Sequence, residues 1–205
     1  TTAALGNDLS TMPDFPAEIR APAGSLAGVS GFQLHFSSED IATPGDTPDV
    51  LIAMNPAALK VNLKDLKPNA TIIVNSSTFD AKNLKLAKYD NNPLEDDTLS
   101  GFNVLPVELT TLTMKTLEDM DISPREKERC KNFFALGLMY WLYNRPLDNT
   151  INWLESKFKD QPKFFEANKR VLIAGYNYGD TTEIFTTRYE VKPAQLPKGT
   201  YRNVS

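Results

Sequence analysis

Two residues apart in a run punctuated by Pro13, Pro16 and Pro22, Glu18 and Arg20 are the first charged pair that could do chemistry. The guanidinium is a permanently charged planar fork that suits a carboxylate or a phosphate. The prolines disfavour helix and fix several φ values, so this pair belongs to a stiff, extended loop. Gly24, Gly28 and Gly31 lack Cβ atoms and let backbone approach a ligand or another chain, while Ser25 and Ser30 between them offer short hydroxyl donors. The same composition also fits a plain Pro/Gly connector in which Arg20 only braces Glu18.

The remaining candidates are scattered. Asn55 and Asn75 each follow an apolar run, which would set two amides at the carboxyl edge of a parallel sheet, where ligands of open α/β folds bind. Asn55 also reads as a helix cap. His35 is the sole histidine and cannot build a His-rich metal site; Cys130 is the sole cysteine, which excludes an internal disulfide and a cysteine-ligated cluster. Beside an apolar helical segment its thiol reads as packed rather than nucleophilic. Glu95, Asp96 and Asp97 follow Pro93 in a polar turn and read as solvated, although three carboxylates can hold a divalent cation. No GxGxxG, P-loop, GxSxG elbow or cysteine pair is present. Catalytic residues and a metal site are therefore expected to be absent from the chain.

Positioning these residues falls to α/β elements. A 205-residue chain with 41% hydrophobic residues suffices for one domain with a real core, and a formal charge of −4 without a basic cluster argues against nucleic-acid binding. No apolar run reaches the roughly twenty residues of a membrane span, so a cytoplasmic protein is expected. Residues 1–5 read as a helix already under way and residues 186–205 as a linker. Val29 to Ser37 alternates, with Phe32, Leu34 and Phe36 on one face and Gln33, His35 and Ser37 on the other, which predicts a half-buried, peripheral or interfacial strand. DVLIAM (Asp49 to Met54) and ATIIV (Ala70 to Val74) are unbroken apolar runs, as in central parallel strands. Asn55-Pro56 starts a helix between them that runs to Lys67. A strand at Phe102 to Val107 and a helix at Thr113 to Met120 continue the alternation. The second half reads as helical. Ser123, Pro124 and Glu126 form a capping box opening a helix to about Tyr143, and two more helices follow, Thr150 to Phe158 and Pro162 to Asn177, with Gly179 as the left-handed stop.

Taken in order, GNDLSTMPDFPAEIRAPAG at Gly6 to Gly24, FQLHFSS, TPGDTPDVLIAMNPAAL and the CKNFFALGLMYW helix resemble the gamma domain of 2-oxoacid:ferredoxin oxidoreductases. The PAEIRAPAG wording is most similar to the N-terminal part of the 2-oxoglutarate enzymes' alpha subunit. The resemblance implies a single Rossmann-like domain over residues 1–184, lacking the family's first strand and glycine-rich turn, with residues 185–205 leading to a following domain. It implies oxidative decarboxylation of a 2-oxoacid to an acyl-CoA, with thiamine diphosphate, Mg²⁺ and a [4Fe-4S] cluster held by a thiamine-binding domain of the same polypeptide and a beta subunit, CoA as co-substrate and ferredoxin as acceptor. Glu18 and Arg20 match the family's E-x-R and Gly24 its small-residue position, which, with Ser25 and Asn55, makes them the expected contacts to the CoA and substrate region or to the neighbouring domains. The alternative from another class is an autonomous Rossmann-like nucleotide-binding or regulatory module.

Overall fold

A computed structural model describes residues 2, 5–14, 29–41, 43, 45, 47–183, 185 and 188–194. Glu18, Arg20, Gly24 and Ser25, and most of the stretch expected as an opening helix, lie outside these residues. A three-stranded parallel sheet, ordered β3-β4-β5, comprises β3 (Val50–Ala53), β4 (Thr71–Asn75) and β5 (Asn103–Val107). Among the described residues only β4 is central, and all five of its residues are buried. β3 is an edge strand, so the expectation that DVLIAM is central is corrected: its residues are half-buried except Ala53.

Alternation along the strands splits the core into two layers, as the period of two requires. Leu51, Ala53, Ile72, Val74 and Val104 point toward α1 (Pro56–Asn62) and α2 (Ala81–Leu86). Val50, Ile52, Ile73, Leu105 and Val107 point the other way, toward α3 (Leu109–Thr116), α5 (Lys131–Leu142) and α7 (Pro162–Thr181). The result is the expected α/β sandwich with a helical second half. α1 begins where the sequence dictates: the Asn55 side-chain oxygen accepts from Ala58 N at 2.8 Å and Pro56 occupies the first turn. It gives way to a short 3-10 turn at Leu63–Asp65 before Lys67.

The capping box at Ser123 is present, with Glu126 N donating to Ser123 Oγ and Ser123 N donating to Glu126 Oε2. The helix it opens is not one piece. α4 (Pro124–Arg129) stops at Cys130, where Phe133 N donates to Cys130 O in a tighter 3-10 bond, and α5 then runs to Leu142. α6 (Asp148–Lys157) and α7 follow. Gly179 is not a stop. It lies inside α7, and the residue with positive φ is Glu183. The glycine serves packing instead, since a Cβ there would sit 3.0 Å from the Trp141 ring. No helix among the described residues is long and apolar enough to cross a membrane.

The loop after α3 is held to α7 by charge. Arg170 donates to Glu166 and Asp119, and Lys163 donates to Asp121. The hydrogen bond from Arg170 lowers the Asp119 pKa below the ordinary carboxyl value, and that from Lys163 does the same for Asp121. Both carboxyls therefore bind protons less readily folded than unfolded. Their stabilisation is present above the unfolded value of about 4 and is lost as pH falls through the lowered folded values. Acid titration of unfolding should show this loss, and Asp119→Asn with Asp121→Asn should flatten it. An unchanged pH profile in the double variant would disprove the clamp.

Residues outside the sheet form a ribbon that sequence reading only half anticipates. β1 (Asp8–Asp14) pairs antiparallel with β2 (Gly31–Ser37), from Asp8 opposite Ser37 to Asp14 opposite Gly31. Its inner half is seated on the body. Asn7 Nδ2 donates to Lys192 O at 2.6 Å, Asp8 Oδ2 accepts from Ile41 N at 2.6 Å, and Phe36 meets Tyr143 edge-on at 5.0 Å. Its outer half is inverted relative to the expected strand: Phe32 is 63% and Leu34 39% exposed, while Gln33 and His35 are half-buried. The polar side chains turn inward because loop carbonyls await them. Gln33 Nε2 donates to Gly45 O at 2.6 Å and His35 Nδ1 to Thr43 O at 3.0 Å.

Candidate functional site

The carboxyl edge of the parallel sheet is where an open α/β fold would receive a ligand. Here the protein's own side chains fill it. α3 begins after Glu108, which makes no side-chain cap, so its first amides need partners from elsewhere. Asn75, fully buried at the end of β4, supplies them: its Oδ1 accepts from Thr110 N at 3.3 Å and its Nδ2 donates to Thr110 Oγ1 at 3.0 Å and to Met54 O at 3.4 Å. Ser77 Oγ accepts from Thr111 N at 3.4 Å and lies 3.1 Å from Thr111 Oγ1. Thr78 Oγ1 donates to Asn75 O at 2.8 Å. The amide donors that would cradle a phosphate in a nucleotide-binding fold are thus already engaged. The sequence signal for this lock was the pair of hydroxyl-rich stretches NSST and LTT at two strand ends. Asn75, with Ser76 and Ser77 behind it, stands out in the sequence; Thr110 and Thr111 do not.

Asn55 is committed to α1 through its side-chain oxygen. The structure does not bring it together with another expected site residue among those described. His35 is bonded to a loop carbonyl, and Cys130, 3% exposed, donates weakly to Glu126 O at 3.5 Å. Burial pushes the Cys130 thiol up to about 11, the opposite of an activated nucleophile. Asp96 caps its own short turn by accepting from Thr98 N at 2.9 Å, and no group of three His, Cys, Asp or Glu among the described residues could hold a metal.

A cavity of about 470 Å³ lies at the opposite, amino-terminal edge of β3, beneath the ribbon. His35, Asp49, Lys67, Tyr143 and Tyr189 are among its walls. Lys67 pairs with Asp49 at 2.7 Å, and the Tyr143 and Tyr189 rings stack at 5.1 Å. Burial first, then the neighbouring Tyr189 and the Asp49 charge, push the Tyr143 phenol up, so it remains a neutral donor. This is a polar-aromatic hollow without a nucleophile and base pair.

The described residues do not fit the cofactors that the resemblance implies for the whole enzyme. One buried cysteine cannot ligate an iron-sulfur cluster, and the sealed sheet edge offers no diphosphate cradle. No step of chemistry is therefore derived through those groups here.

The family model described as pyruvate ferredoxin/flavodoxin oxidoreductase matches residues 1–178. The 2-oxoglutarate oxidoreductase subunit KorA of Mycobacterium tuberculosis is 51% identical over 203 residues, covering 99% of this chain and 31% of that subunit. The chain thus spans about a third of the curated relative's length. Among solved structures, the 2-oxoglutarate:ferredoxin oxidoreductase of Magnetococcus marinus, with 2-oxoglutarate, coenzyme A and succinyl-CoA bound, aligns at a TM-score of 0.63 and 24% identity. That alignment covers 95% of this chain and 29% of that one. The gamma subunit of a keto/oxoacid ferredoxin oxidoreductase from Geobacter sulfurreducens aligns at 0.51 and 16% identity, covering 85% and 81%. The two structural likenesses show a shared fold. With most of its length under the family model and half its residues shared with a curated member, this chain belongs to the pyruvate ferredoxin/flavodoxin oxidoreductase family.

Proposed function

We propose that this chain is the gamma-type domain of a 2-oxoglutarate:ferredoxin oxidoreductase, a non-catalytic part of an enzyme whose chemistry is completed by other domains. The observation that carries this is 51% identity, over 99% of the chain, to a 2-oxoglutarate oxidoreductase subunit. The reaction is cleavage of the C1–C2 bond of the 2-oxoacid. CO2 leaves, the acyl carbon is bonded to the CoA sulfur, and two electrons and a proton are released, the electrons passing to ferredoxin. Thiamine diphosphate, Mg²⁺ and a [4Fe-4S] cluster belong to a thiamine-binding domain and a beta subunit, in the cytoplasm. Residues 1–184 form the domain and residues 185–205 the path toward the next. The occupied sheet edge disfavours the autonomous nucleotide-binding alternative.

Within that enzyme the role of this chain is contact. Glu18, Arg20, Gly24 and Ser25 follow β1 and precede β2 in the sequence and lie outside the described residues. Their match to the family's E-x-R and small-residue positions supports their facing the CoA and substrate region or the neighbouring domain. Asn55 would join only through the amide nitrogen that its cap leaves free.

In the assembled complex, Arg20→Ala is expected to raise the KM for CoA or for 2-oxoglutarate by about 10-fold or more, the loss of one charge-assisted contact, with association unchanged. Steady-state kinetics and size-exclusion chromatography read the two separately. Dissociation of the subunits with ordinary kinetics in the surviving complex would make Arg20 an assembly residue instead. A complex that fails to reduce a low-potential acceptor on addition of 2-oxoglutarate and CoA would refute the family activity here.

A further inference from the structure

The β1–β2 ribbon exposes apolar side chains on both faces of its outer half. Phe32 and Leu34 lie on one face at 63% and 39% exposure, and Met12, opposite Gln33 in the register, lies on the other at 48%. Few of the protein's large apolar residues are so exposed; Leu86 and Trp153 are the others among those described. A two-stranded ribbon cannot bury both faces by itself and is marginal in water without a surface to pack on. Neither outer edge is paired with a further strand among the described residues.

The exposure is built in rather than a slipped register. Moving β2 by one residue would break the bonds of Gln33 to Gly45 O and of His35 to Thr43 O and unseat Phe36, which shares a face with Phe32 and Leu34, from Tyr143. Asp8, bonded to Ile41 N, and Asn7, bonded to Lys192 O, pin the other strand at the same end. The inner half of the ribbon is therefore fixed, and its outer half is held out with apolar groups facing solvent. Exposed apolar residues on a rigid projection mark a contact surface.

We propose that the rest of the oxidoreductase subunit covers this outer half, taking Phe32 and Leu34 into an apolar groove on one side and lying against Met12 on the other. The proposal rests on the family reading above. It commits to this occupant because the chain matches only 31% of its KorA relative's length, which leaves some two thirds of such a subunit, tethered to this domain, available to cover the ribbon. The outer ribbon combines apolar groups on two faces with a fixed stance, which Leu86 and Trp153, isolated on helix surfaces, do not.

The test uses the full-length subunit in its complex. Phe32 is replaced by the photocrosslinker p-benzoylphenylalanine, with Leu86 carrying the same probe as an exposed control, and cross-linked peptides are identified by mass spectrometry. The expected product joins residue 32 to a peptide of the same subunit outside residues 1–205. Cross-links to a second copy of residues 1–205 or to another subunit, or none above the Leu86 control, would overturn the proposal. Hydroxyl-radical footprinting of the unmodified complex supplies the mutation-free check: oxidation of Met12 and Phe32 should fall several-fold below that of Trp153 after correction for intrinsic reactivity, and oxidation in proportion to their exposure would overturn it. The same preparation is assayed with 2-oxoglutarate and CoA. An unprotected ribbon in an active complex sinks the interface alone, whereas an inactive complex counts against the family reading.

Discussion

Replacing Gly175 by alanine is expected to destabilise the protein by about 3 kcal/mol or more, although alanine is the better helix former by about 1 kcal/mol. The two effects have opposite signs, and geometry decides between them. α5 and α7 cross with backbones in contact: a Cβ on Gly175 would stand 2.1 Å from Phe134 O, and one on Gly137 would stand 2.2 Å from Leu172 O. Neither obstacle is a side chain that can swing away. The helices would have to separate, and the residues buried between them, Phe134, Leu138, Val171 and Leu172, would lose contact together. For a domain of this size the melting temperature should drop by about 6–12 °C. Gly137→Ala should behave alike. A melting temperature unchanged or raised in either variant would mean that the helices do not meet as described.

Asn75→Ala is expected to cost about 2–4 kcal/mol, from the loss of buried hydrogen-bond partners and a small cavity. The amide binds Thr110 through both of its polar atoms and also reaches Met54 O, so it ties the ends of β3 and β4 to the start of α3. With it gone, Thr110 N loses its partner in a half-buried setting. Asn55→Ala is the internal comparison: it removes one bond at the half-buried start of α1 and should cost about 1 kcal/mol. Urea denaturation of the two variants measures the difference directly. Equal losses would show that Asn75 is only a cap and not a cross-element lock.

The contrast between these two asparagines shows what kind of statement a sequence supports. Both follow an apolar strand, and both suggested a ligand-binding edge. Asn55 is followed at once by proline and an apolar helix, so its capping role is local and legible within four residues. Asn75 caps a helix 35 residues further on, through Thr110, and nothing within a few residues of it names that partner. Gly179 was misread for the same reason. Glycine near the end of an apolar period resembles a helix stop, but its use here is set by Trp141 on another helix. The ribbon was half legible. β2 announced itself by alternation, whereas β1, DLSTMPD, lacks that alternation and contains a proline.

By itself the sequence determined the elements whose causes are local: the apolar runs of β3 and β4, the Asn55-Pro56 start of α1, the Ser123 capping box, and the α/β order that goes with the family wording. It also excluded an internal disulfide, a cysteine-ligated cluster and a His-rich metal site. Only the tertiary structure decided which residues of β2 meet the body, where α5 and α7 touch, and that the sheet's carboxyl edge is closed. The physical reason is range. Propensity, capping and periodicity act between residues a few positions apart, while burial and hydrogen-bond partnership depend on whatever the fold brings opposite. Phe32 and Leu34 carry the pattern of a buried face, but carbonyls of the 43–45 stretch hold Gln33 and His35 on the opposite face, and on their own face it is Phe36 that meets Tyr143.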